Sequence, residues 1–189
     1  MVVEATRERI LDAVHALLAE EHPAALSIPA VAQRAGTSLR TVYRYFPTKA
    51  ALVDAASRSF EAETHPASLT GHVTVDTLED YLEDVFTGFT KAIDAVRAQH
   101  LTPAGRELRD ARLPRSRAGT RAALLAAGLG DLPADDLDGI TDVVVALIGS
   151  SMYLELVDRL GHDEVDAARL AAWVTRSIVD RARTDGGIR

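Results

Sequence analysis

Hydrophobic residues in the first 48 positions recur three and four apart, and proline and glycine cut that pattern into three short lengths. Ile10, Val14, Leu17 and Leu18 share one face of a helix expected over about residues 4–20, which Pro23 ends. Ser27 then offers a hydroxyl cap. Pro29 falls in the first turn, where a missing N–H costs little; Val31, Ala32 and Ala35 face inward, and Gly36 closes the second helix. A third helix begins after Thr37 or Ser38 and runs only to about Phe46, where Pro47 stops it. Two short helices joined by a turn with a glycine predict a helix-turn-helix at about residues 27–46, in which one helix braces the next.

The helical rhythm continues to the end of the chain. Thr48 caps a fourth helix over about 49–63, and Pro66 and Gly71 mark a loop at 65–72. One long helix is expected over 76–100, with Leu78, Leu82, Val85, Phe86, Phe89 and Ile93 along a stripe. Pro103, Pro114 and the 128–133 stretch bound two shorter helices, about 104–112 and 115–127. An apolar helix follows over 137–160, ended by Gly161, and a last one over about 164–183. Alanine and leucine are abundant, aromatics are only 5% of residues, and Val and Ile do not alternate in long runs. The expectation is an all-α fold of about nine helices, divided into a head at 1–48 and a helical body at 49–189.

Several chemistries are excluded or left without support. With no cysteine there is no disulfide framework, thiolate nucleophile or Cys-ligated zinc. No apolar run approaches the ~18 residues that span a membrane, and Glu4, Arg7, Glu8 and Arg9 leave no apolar core for a secretory signal. A cytoplasmic protein with no membrane partner is expected. None of the six histidines forms the spaced pair of a metalloprotease helix; His65 and His72 share a loop, which is thin support for a metal. No phosphate loop or dinucleotide fingerprint occurs. Acid pairs such as Glu79–Asp80 and Asp135–Asp136 read as solvated helix charges. No enzyme activity, metal or cofactor is therefore expected.

Charge points to a polyanion. The net charge of −7 disfavours nucleic acid on average, but residues 1–50 carry six Lys or Arg against five acids, a net of +1 that leaves −8 for the rest. No acid occurs between Glu21 and Asp54, the interval holding Arg34, Arg40, Arg44 and Lys49. An acid-free basic window is what a DNA face requires. On the third helix Val42 and Phe46 point to the core. Ser38, Thr41 and Tyr45 recur on another side, flanked by Arg40 and Arg44, a combination suited to a major groove. Arg34 reads as a solvated helix residue, and the tyrosines have a second reading as packing aromatics.

The stretch LSIPAVAQRAGTSLRTVYRYFPTKAALV, residues 26–53, resembles the signature of the TetR/AcrR family, with Ala32, Gly36, Ser38, Thr41, Tyr43, Tyr45, Phe46, Lys49, Ala51 and Leu52 in register. The resemblance is strong over about residues 5–60; beyond them only length and helical rhythm agree. It implies a repressor that binds a palindromic double-stranded DNA operator as a homodimer and is released by a small apolar or amphipathic molecule. By position, Ser38, Leu39, Arg40, Thr41, Tyr43, Arg44 and Tyr45 would form the DNA face, with Ser27 and Lys49 touching phosphates at helix starts. Leu39 has two readings here, a thymine-methyl contact or packing at the core edge. The resemblance also implies that the last two long helices pair with those of a second copy, through residues such as Val145, Gly149, Trp173, Val174 and Ile178; the alternative is monomer core. A ligand pocket would draw on Tyr81, Val85, Phe86, Phe89, Met152 and Tyr153, against which stands plain core packing. His100 reads as a ligand contact or an exposed helix-end residue. Two other functional readings stay open, a DNA-bound interaction protein that answers no small molecule and an all-α enzyme.

Overall fold

The computed structural model describes residues 2–19, 26–64 and 73–188; of Val2, Val3 and Ala19 it describes the backbone only. The end of the first helix at Pro23 and the loop at 65–72 lie outside these residues, as do His22, His65 and His72. Among the described residues there are ten α-helices and no strand: α1 (Val2–Ala19), α2 (Ile28–Arg34), α3 (Leu39–Tyr45), α4 (Lys49–Thr64), α5 (Leu78–Lys91), α6 (Ile93–Leu101), α7 (Pro103–Leu124), α8 (Ala134–Leu147), α9 (Ser150–Tyr153) and α10 (Glu164–Asp185). Wider π-type turns at Leu125–Leu129 and Leu154–Arg159 extend α7 and α9.

Three boundaries depart from the sequence expectation. The stripe expected over 76–100 breaks at Ala92, whose backbone (φ −112°, ψ 28°) leaves the helical region; neither proline nor glycine marks it. Pro114, expected to separate two helices, lies inside α7. Its ring nitrogen has no hydrogen for the Asp110 carbonyl, yet the good helix formers on either side carry the helix through. The helix expected over 137–160 breaks where Gly149 turns extended (φ −93°, ψ 175°). A Cβ at Gly149 would stand 2.9 Å from the Val145 carbonyl oxygen, so the break requires glycine.

The chain divides into two compact units. The first joins residues 1–63 to 92–113, so it extends beyond the head expected at 1–48 and takes in α4, α6 and the start of α7. Its core collects Ile10, Val14 and Leu18 of α1, Val31 of α2, Val42 and Phe46 around α3, Leu52 and Val53 of α4, and Ala104 and Leu108 of α7. The second unit holds residues 64–91 and 114–189. There α5 lies along α10, and Leu124, Leu129, Leu137, Ile140, Val144 and Val179 form a core cluster. No single helix among the described residues is long and apolar enough to cross a membrane; α8 with the α9 segment passes by length and composition only as a pair bent by 44°.

Candidate nucleic-acid interface

Local signals build the α2–turn–α3 element. The Ser27 hydroxyl accepts the Ala30 N–H at 3.3 Å and caps α2. At the other end Gly36 adopts φ +60°, a left-handed value that β-carbons disfavour. Its N–H bonds the Gln33 carbonyl at 3.1 Å, and the Thr37 N–H bonds that of Ala32 at 2.9 Å, the paired bonds of a Schellman closure. Ser38 opens α3 by accepting the Thr41 N–H at 3.1 Å. The two hydroxyls are also linked, with Ser38 Oγ and Thr41 Oγ1 2.9 Å apart. Phe46 leaves the helix in extended conformation ahead of Pro47.

Packing then sorts the side chains of α3. Val42 is fully buried and Phe46 nearly so, with the Arg7 guanidinium 5.7 Å from the Phe46 ring centre. On the opposite side Ser38, Arg40 and Arg44 are exposed, as are Tyr43 at 49% and Leu39 at 45%. A bulky apolar and an aromatic residue held in water amid arginines are what a groove-entering surface presents. Leu39 is not part of the core cluster. Tyr45 is half-buried and packs on that cluster, and the Arg44 guanidinium lies 5.2 Å from its ring centre. Thr41 is half-buried and Ser27 exposed.

Lys49 has a partner that the sequence expectation did not include. It starts α4, next to the Thr48 hydroxyl that accepts the Ala51 N–H at 3.0 Å. Its ammonium, however, grips both oxygens of Glu107 on α7, at 2.8 and 2.7 Å. Sequence reasoning missed this partner because 58 positions separate the two residues. His100 is half-buried rather than an exposed helix end. Arginine can only donate, so Arg109 donates to His100 Nδ1 at 3.0 Å and fixes the ring as a neutral acceptor there. Burial, then Arg109 and Arg112, push the His100 pKa down to about 4.

In the second unit the residues expected to line a pocket form closed packing. Val85, Phe86, Phe89 and Tyr153 are buried. The Tyr153 ring meets Phe86 and Phe89 edge-on, each at 5.4 Å between ring centres. Thr90 gives its hydroxyl proton to the Phe86 carbonyl at 3.1 Å, so the Tyr153 hydroxyl donates to Thr90 at 3.0 Å. Tyr81 and Met152 are half-buried. A cleft of about 650 Å³ does occur in this unit, between Val75, Ala123, Ala126, Ala127, Arg176 and Arg183, and none of the six expected pocket residues lines it. Of the residues expected at a dimer contact, Trp173 is 65% exposed, while Val145, Gly149, Val174 and Ile178 are half-buried. Val143 and Leu170 add exposed apolar surface on α8 and α10. Among the described residues no group of three His, Asp or Glu could hold a metal.

The first unit thus defines the class, an all-helical protein with a helix-turn-helix head. Residues 10–56 match the family model described as bacterial regulatory proteins, tetR family. The HTH-type transcriptional repressor KstR of Mycolicibacterium smegmatis is 45% identical over 69 residues, covering 34% of this chain and 34% of that protein. The repressor of the same name from Rhodococcus jostii is 48% identical over 56 residues, covering 29% of this chain and 26% of that protein. The matches therefore span about a third and about a quarter of these relatives. A TetR-family transcriptional regulator from Streptomyces coelicolor shares the fold with a TM-score of 0.57 at 18% identity, over 98% of this chain and 91% of that one. A TetR regulator from Agrobacterium tumefaciens does so with 0.53 at 23% identity, over 91% and 93%.

Proposed function

We propose that the protein is a cytoplasmic transcriptional repressor that inserts α3 into the DNA major groove, binds a palindromic operator as a homodimer and is released by a small apolar or amphipathic molecule. The observation that carries this reading is the two-sided character of α3: Val42 and Phe46 are locked in the core while Leu39, Arg40, Tyr43 and Arg44 stand in water. Ser38, Leu39, Arg40, Thr41, Tyr43, Arg44 and Tyr45 form the groove face, and Ser27 and Lys49 approach phosphates. The exposure of Leu39 favours the thymine-methyl contact over packing. The family-model match at residues 10–56 includes this same segment.

Dimerisation uses the exposed apolar surface of α8 and α10, centred on Trp173 with Val143 and Leu170. An isolated aromatic this exposed is costly in water and suits an interface anchor. Val145, Gly149, Val174 and Ile178 flank it. Ligand release follows from opening the cluster of Phe86, Phe89 and Tyr153, where an apolar molecule would replace ring contacts and meet the Tyr153 and Thr90 hydroxyls as polar partners. The test is capture of sheared chromosomal DNA by the full-length protein, followed by release with a library of apolar compounds. Enrichment of discrete sites and release by a subset of compounds are expected. Uniform recovery of all fragments contradicts the reading, and enrichment that no compound reverses contradicts its ligand-release part.

A further inference from the structure

In three dimensions a carboxylate from far along the chain, Glu107, meets the acid-free window at Lys49. Glu107 lies 53 positions beyond Asp54, the first acid after the window. Its place is fixed by α7: Ala104 and Leu108 are buried in the core of the first unit and Ala111 packs against it, so Glu107 sits at the rim of a docked helix face. Lys49 is equally anchored, at the capped start of α4, whose Leu52 and Val53 enter the same core. The two side chains meet at 2.7 and 2.8 Å, with 41% of Lys49 and 35% of Glu107 still exposed. A phosphate can therefore reach the ammonium, but the carboxylate already pairs with its charge.

We propose that Glu107 sets the DNA affinity of the head: it pairs with the Lys49 ammonium in the free protein, and a backbone phosphate has to compete with it. This rests on the DNA-binding reading above. A phosphate and a carboxylate compete for the charge and hydrogens of one ammonium, so a phosphate gains less from a paired lysine than from an unpaired one. The pair thus lowers affinity for every duplex by a constant factor, without touching a base.

The experiment is a double-mutant cycle on the full-length protein, using a labelled random-sequence duplex of about 30 base pairs, since phosphate contacts do not depend on sequence. Glu107→Gln keeps the size of the side chain, and thermal melting reports that each variant is folded. The expected result is that E107Q binds about threefold more tightly than wild type, as fits a half-exposed ion pair. Lys49→Met binds more weakly, with a salt slope shallower by ~0.9. In the Lys49→Met background the Glu107→Gln gain disappears. Equal affinities of wild type and E107Q overturn the proposal. So does a gain that persists undiminished in Lys49→Met, which assigns Glu107 to general repulsion. Wild-type protein that binds no duplex overturns the DNA reading together with this inference, whereas wild-type binding with an unchanged E107Q overturns the inference alone.

Discussion

Val42 and Tyr43 are neighbours on a seven-residue helix, and they should answer the same substitution in opposite ways. Val42 has no exposed surface and lies in a core with Val31 and Phe46. Truncation to alanine removes two carbons, at ~0.8 kcal/mol each, and leaves a small cavity, so Val42→Ala should cost about 2–3 kcal/mol of folding stability. Tyr43 is 49% exposed and absent from the core cluster. Tyr43→Ala should leave stability within about 0.5 kcal/mol while weakening DNA binding by ~1–3 kcal/mol, roughly five- to 150-fold. Urea unfolding gives the first quantity, and fluorescence anisotropy with a captured genomic site gives the second. Folded Val42→Ala, assayed well below its melting temperature, should retain most of its affinity. Two results would refute the reasoning: a Tyr43→Ala protein as unstable as Val42→Ala, which would place the ring in the core, or unchanged affinity in Tyr43→Ala.

Three other perturbations follow from the geometry. Trp173→Asp puts a charge on an exposed apolar anchor, so sedimentation should show folded monomer and self-association weakened by at least ~30-fold; an unchanged dimer removes Trp173 from the interface. Pro114→Ala supplies an N–H for the Asp110 carbonyl inside α7 and should raise stability by about 1–3 kcal/mol in urea, whereas a loss would mean that the helix is broken there. His100 has a folded-state pKa near 4 against 6.5 when free, so the unfolded chain binds the extra proton. Its share of stability is complete above pH 6.5 and drains as pH falls towards 4. The melting temperature of wild type should fall through that window more steeply than that of His100→Gln, whose amide oxygen can still accept from Arg109; parallel curves would reject the buried neutral imidazole.

What could be read in advance divides by the range of the interaction. Ser27, Gly36, Ser38 and Pro47 act within four residues of themselves, so capping chemistry placed α2 and α3 to within a residue. Val42 and Phe46 followed from helical spacing, and the N-terminal resemblance agrees with the matched segment at 10–56. The body was legible as helices but not in its breaks. Ala92 is a good helix former, and nothing in its local sequence marks its departure from the helical region. Pro114 is the strongest breaker on local grounds, yet the helix formers on either side carry α7 through it. The pairing of Lys49 with Glu107 and the Arg109–His100 bond depend on how α6 and α7 dock in the first unit, which no local pattern encodes.

The central claim is that α3 reads DNA and that a two-fold partner presents it twice. Selection of tight binders from a fully random duplex pool by the intact protein tests both parts in one measurement. The recovered sequences should converge on an inverted repeat, with half-site centres separated by one helical turn, ~34–36 Å, or a multiple of it. Convergence on an unrepeated element, or a pool that stays random after selection, would contradict it.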